Sequence, residues 1–157
     1  MQAPWVLCRV FGYCFGTVIC SLFSRRSTPA NQFHTGVGEK QYREALARFD
    51  DSAPQSVYVH VPFCEHRCTY CGCYVVQSRF QSIAETYLGY AQRELGLLQE
   101  AMSSRPVVSS VHIGGGTPTL LTPSQLEALL HSLHEFAGAS SFAELSVELD
   151  PRVTTKE

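Results

Sequence analysis

From Tyr74 to Glu157 the sequence has no cysteine, although the whole chain carries seven. That argues against a zinc site made of two well-separated cysteine pairs, since no second pair follows the first group. Excess charge is missing as well: 12 Lys and Arg face 14 Asp and Glu, a formal net charge of −2. No basic surface is available to argue for nucleic acid, which is therefore not an expected partner. Charged residues are only 17% of the chain and hydrophobic ones 45%, the balance of a globular protein. At 157 residues the chain could form one ordinary domain.

The one long apolar run lies at the start, from Pro4 to Phe23, interrupted by Arg9 and followed by Arg25 and Arg26. Its length would suit a membrane span. The basic pair follows the run instead of preceding it, unlike a secretory signal, and Arg9, Gly12 and Gly16 weaken a membrane helix. Residues 1–26 are read as an apolar leader that joins no pattern downstream. Membrane association is not expected, with a weak anchor through residues 4–23 as the alternative. Cys8, Cys14 and Cys20 lie in this leader.

Residues 27–55 read as a polar linker and a short helix, Glu39 to Phe49, with Tyr42, Leu46 and Phe49 at helical spacing. Alternation then predicts a strand over Val57–Val61, with the valines on one face and Tyr58 and His60 on the other. From Gln81 to about Met102, Ile83, Tyr87, Tyr90, Ala91, Leu95, Leu98 and Met102 recur at three- and four-residue steps, the mark of an amphipathic helix. A second strand over Ser109–Ile113 runs into Gly114-Gly-Gly-Thr-Pro118. Thr122-Pro-Ser-Gln125 offers a capping box for a helix carrying Leu126, Leu129, Leu130, Leu133 and Phe136, ended by Gly138. A third strand is expected over Glu144–Leu149. Strands alternating with crossover helices imply a parallel sheet. The fold class is α/β: an incomplete parallel (β/α) barrel over residues 56–157, with about three βα units. Three strands are too few to close such a sheet, so a larger domain's opening portion is the expectation.

Between the first strand and first long helix stands Cys64-Glu-His-Arg-Cys68-Thr-Tyr-Cys71, with Cys73 two residues on. Iron–sulfur clusters are held by cysteine thiolates, one per iron in a 4Fe–4S cube. Three close thiolates would hold three irons and leave the fourth open to a small molecule. An oxygen-sensitive cluster needs a reducing compartment, so the cytoplasm is expected. Cys73 is left outside the cluster; an alternative iron ligand, a hydrogen donor to a radical and inert packing all stay open for it.

In parallel α/β folds ligands sit at the carboxyl ends of the strands. The cysteine loop, the glycine loop and Glu148 with Asp150-Pro151 would all arrive there. Gly115 and Gly116 let backbone approach a ligand closely, and their amides suit a carboxylate. Glu148 could accept from an amine or ribose hydroxyls. Tyr70 could offer its ring or backbone to an adenine, or pack the loop. Tyr58 would face the barrel interior, as cofactor contact or core residue, while His60 reads better as a hydrogen-bonded core histidine.

Cys64, Cys68 and Cys71 resemble the signature of the radical S-adenosylmethionine enzymes. With Tyr58-Val-His-Val-Pro-Phe-Cys64, Cys71-Gly-Cys73, Gly114-Gly-Gly-Thr-Pro-Thr119 and Val147-Glu-Leu-Asp-Pro151, the likeness is to the oxygen-independent coproporphyrinogen III oxidase family from about Asn31 onward. The resemblance implies a 4Fe–4S cluster on Cys64, Cys68 and Cys71, with S-adenosylmethionine on its open iron. It also implies that Tyr58, Tyr70, Gly115, Gly116, Thr117 and Glu148 contact S-adenosylmethionine. The implied reaction uses a 5′-deoxyadenosyl radical to take a β-hydrogen from coproporphyrinogen III propionates. Loss of CO₂ then leaves vinyl groups and yields protoporphyrinogen IX. A porphyrinogen substrate and an electron donor such as a flavodoxin or ferredoxin are the implied partners. The family's tyrosine-rich segment ahead of the helix is not recognisable, and its later strands and C-terminal domain do not follow. The chain alone is therefore expected to be an inactive or incomplete fragment. The alternatives are a haem-binding chaperone of the same superfamily, whose members commonly place an aromatic where Cys73 stands, and a small zinc-binding interaction module.

Overall fold

A computed structural model describes residues 39–48, 54–72, 75–78, 81–152 and 154. The leader, the linker up to Gly38, Phe49, Cys73 and the side chain of Tyr42 lie outside them. Helix α1 spans Glu39–Ala47 and buries Leu46. Strand β1 spans Gln55–Val61, two residues longer than alternation predicts at its start. Its valines 57, 59 and 61 are buried while Ser56, Tyr58 and His60 are half-buried, as the period of two requires.

Helix α2, Gln81–Ala101, lays Ala84, Tyr87, Leu88, Ala91, Leu95 and Leu98 into the core. Tyr90, assigned to that stripe from spacing, is instead 57% exposed. Ala84 and Leu88 define a face rotated away from it, because a core-facing stripe is wider than a single row of positions. Strand β4, Val108–Gly115, runs two residues beyond its predicted end and buries Val111 and Ile113. A single 3₁₀ turn, Pro118–Leu120, leads to α3, Pro123–Ala137. Thr122 and Gln125 form the expected capping box, and α3 stops at Gly138 in the left-handed conformation. Leu129, Leu133 and Phe136 of α3 are buried, and Gln92 of α2 donates to Ser132 of α3.

The main sheet has the order β1-β4-β5, parallel throughout, with β5 at Glu144–Val147. β5 ends two residues earlier than predicted. One further ladder bond, Glu148 N to Ile113 O, closes it. Leu145 and Leu149 are 47% and 58% exposed, since no described element covers them. A second ladder was not anticipated. Phe63–Cys64 (β2) pairs in parallel with Val76–Gln77 (β3), cinching the cysteine loop at its base. Among the described residues no helix is long and apolar enough to cross a membrane. The architecture is thus α/β with a parallel sheet: one face is packed by helices, and the other carries the polar side chains.

Candidate functional site

The site assembles where β1, β4 and β5 end. Pro62 interrupts the β1 ladder, and Phe63 and Cys64 continue as β2 into the cysteine loop. Cys64 is buried; Cys68 and Cys71 are half-buried; none of the three is joined in a disulfide. Cys71 N donates to Cys68 O at 3.1 Å, the turn that brings the second and third cysteines around. Tyr70, between them, is 89% exposed, so it does not pack the loop and its ring faces solvent.

The glycine turn is stitched to this loop. Gly116 N donates to Val61 O at 2.8 Å, and Thr117 N to Phe63 O at 2.7 Å. These two amides serve neighbouring backbone; of the two glycine amides expected to suit a carboxylate, that of Gly116 is therefore taken up within the fold. Gly116 has no room for a side chain: a methyl group there would lie 2.6 Å from Phe63 O and 2.9 Å from Cys64 Sγ. Gly115 has φ +118°, a backbone region that residues with a Cβ avoid. Thr117 is buried and donates its hydroxyl to Cys64 Sγ at 3.5 Å.

Glu148, just past β5, folds its carboxylate over the same turn. Gly115 N donates to its Oε2 at 3.0 Å, and His112 Nε2 lies 3.2 Å from its Oε1. A carboxylate only accepts, so in that contact Nε2 carries the hydrogen; Nδ1 is hydrogen-bonded with Ser146 Oγ at 2.7 Å. His112 also stacks on Tyr58, centroids 5.6 Å apart and planes 15° apart. Tyr58 OH and His60 Nδ1 are 3.0 Å apart. Tyr58, His60, His112 and Ser146 thus line the polar face of the sheet. An open hollow of about 340 Å³ lies over Tyr58, His112 and Ser146.

His112 is a participant that sequence reading did not single out. The signal was available, because alternation between buried Val111 and Ile113 puts it on the face of Tyr58 and His60. Arg152 is another. Asp150 grips its guanidinium at Nε and Nη2 (2.9 and 2.6 Å), and Nη2 also reaches Cys68 Sγ at 3.6 Å. Those hydrogen bonds from Arg152 hold the Asp150 carboxyl down at about 2, well below the ordinary carboxylate range. No spacing rule links Arg152 to Cys68, which are 84 positions apart.

The donor set fits an iron–sulfur cluster. Three cysteines outside any disulfide share one loop, and Cys64 and Cys68 receive hydrogen-bond donors of the kind that stabilise a sulfur-borne negative charge. No group of three His, Cys, Asp or Glu among the described residues is arranged around a single ion. That observation concerns one-ion sites and not a cube whose irons take one thiolate each.

Residues 58–157 match the family described as the Radical SAM superfamily. The chain is 36% identical over 132 residues to the oxygen-independent coproporphyrinogen III oxidase of Helicobacter pylori, covering 82% of this chain and 29% of that protein. It is 38% identical over 123 residues to the enzyme of the same name from Escherichia coli K12, covering 78% and 26% respectively. A solved structure of coproporphyrinogen III oxidase from Escherichia coli, described as a radical SAM enzyme, superposes with a TM-score of 0.71 at 35% identity. That match covers 80% of this chain and 29% of the solved one. The chain therefore spans less than a third of the length of these relatives.

Proposed function

The chain belongs to the radical SAM superfamily, and from that premise we propose that its residues bind the cluster and S-adenosylmethionine for an oxygen-independent coproporphyrinogen III oxidase. The observation that carries this reading is the joining of three distant motifs at one rim. Thr117 meets Cys64, Gly115 meets Glu148, and Arg152 meets Cys68. Sequence similarity to the oxidases of Helicobacter pylori and Escherichia coli supplies the substrate class, a porphyrinogen bearing propionates.

Cys64, Cys68 and Cys71 would hold a 4Fe–4S cluster. Glu148, Gly115, Gly116, Thr117, Tyr58 and Tyr70 would form the S-adenosylmethionine side of the site. When bound, the two groups supply a radical able to take a hydrogen atom from a propionate β-carbon, the opening of decarboxylation to a vinyl group. The chain's own side chains do the positioning. Glu148, steadied by His112 and Gly115, keeps acceptor capacity directed outward for an amine or ribose hydroxyls. Tyr58 and His112 set a stacked pair of rings on the polar face of the sheet beside Glu148. The helices seal the opposite face of the sheet, so the polar groups converge on one side only. A one-electron donor such as a flavodoxin or ferredoxin is the partner this chemistry requires, and a reducing cytoplasm the compartment it suits.

The test is anaerobic reconstitution with iron and sulfide, followed by electron paramagnetic resonance with and without S-adenosylmethionine. A 4Fe–4S signal that changes on adding the compound, and that Cys68→Ser abolishes, is the expected result. Zinc without acid-labile sulfide would overturn the reading in favour of a zinc module.

A further inference from the structure

Two of the three candidate ligand sulfurs receive a hydrogen-bond donor from outside the cysteine loop. Thr117, on the glycine turn, directs its hydroxyl at Cys64 Sγ from 3.5 Å, and both residues are buried. Arg152, beyond β5, directs Nη2 at Cys68 Sγ from 3.6 Å. The aim of Arg152 is built in. Asp150 accepts from Nε at 2.9 and 3.1 Å and from Nη2 at 2.6 Å, and its Oδ1 also accepts the Arg152 backbone amide at 2.9 Å. A planar guanidinium pinned in this way keeps a second Nη2 hydrogen free to serve the sulfur.

A reduced cluster carries one more negative charge than an oxidised one. Donors and positive charge facing its sulfurs favour the reduced form, and cluster potentials respond to net charge, sulfur hydrogen bonds and exposure. Asp150 offsets part of the guanidinium charge, so the directed N–H matters more than bulk attraction. Resting on the cluster reading above, we propose that Thr117 and Arg152 are positioning residues that raise the reduction potential of the cluster through Cys64 and Cys68. They would keep it within reach of a protein electron donor.

The experiment is a spectroscopic redox titration of the anaerobically reconstituted full chain, compared with Arg152→Gln and Thr117→Val. Thr117→Val removes its donor at nearly constant shape, and Arg152→Gln removes the guanidinium donor together with its charge. At a fixed poise, the reduced-to-oxidised ratio of each should fall about tenfold, about 59 mV more negative for a one-electron couple, with iron per chain unchanged. Midpoints coincident with the parent overturn the proposal. If Arg152→Gln fails to take up iron, Thr117→Val decides alone by the same criterion. If Thr117→Val fails, Arg152→Gln decides. If both fail, resonance Raman of Arg152→Lys is read, where iron–thiolate stretches identical to the parent's overturn it and shifted ones support it. A parent chain that forms no cluster sinks the underlying reading instead, which separates the two failures.

Discussion

At the scale of single residues, the most consequential contact is the one between His112 and Glu148, since it orients the carboxylate on which cofactor recognition is proposed to rest. His112→Leu keeps comparable bulk but removes the donor to Oε1 and the hydrogen-bond partner of Ser146. Hydrogen bonds to charged groups are worth about 1.5–3 kcal/mol. The expected outcome is at least about a tenfold weaker affinity for S-adenosylmethionine, about 1.4 kcal/mol, with iron content unchanged, measured by equilibrium dialysis on reconstituted protein. Gly116 is constrained differently, because the obstacle is backbone oxygen that has nowhere to move. Gly116→Ala should lower iron per chain in reconstitution, as the glycine turn and the Cys64 strand are pushed apart. These residue roles were partly visible beforehand. The cysteines and Glu148 announce their chemistry by type and spacing, whereas Arg152 does not, because an arginine near a chain bend looks like any solvated charge.

Elements were legible wherever period and punctuation agreed. β1 alternates cleanly, and α3 has both a capping box and a terminal glycine, so its limits could be read directly. β5 and the short β2·β3 ladder were harder. A two-residue strand has no period to detect, and Leu145 and Leu149 carry a strand-like alternation that the structure leaves exposed. Between elements, Tyr87 of α2 is the tie to β1: its hydroxyl donates to His60 O at 2.8 Å while its ring meets Phe63 edge-on at 5.5 Å. Burial pushes its phenol well above the ordinary value, with the Glu94 and Tyr58 charges adding to the effect. Above about pH 10 the unfolded chain releases that proton while the folded chain keeps it. The contribution is therefore complete below that pH and declines as pH rises. Tyr87→Phe should cost about 1 kcal/mol in urea unfolding at neutral pH and should flatten the alkaline fall in stability.

For the molecule as a whole, parallel alternation by itself directs all three motifs to one rim, since strand order and direction decide which loops can meet. The details of their meeting depended on tertiary packing that no local pattern encodes. The Gly116 amide donates to Val61 O, a tie between the glycine turn and β1 that no local pattern signals. Because loops from β1, β4 and β5 all contribute, occupancy of the site should be felt as global stability. S-adenosylmethionine at about 100 times its dissociation constant should add about 2.7 kcal/mol to the reconstituted chain, read as a raised thermal midpoint. Cys68→Ser should show no such rise.

The two amide bonds from the glycine turn to Val61 O and Phe63 O act as a ruler laid along the chain. Inserting one residue between Val61 and Cys64 would carry the first thiol about 3.3 Å farther and turn it to the opposite side of the strand. Lengthening the segment after Cys71 escapes that measure, so tolerance to insertions should be sharply one-sided around the cysteine loop.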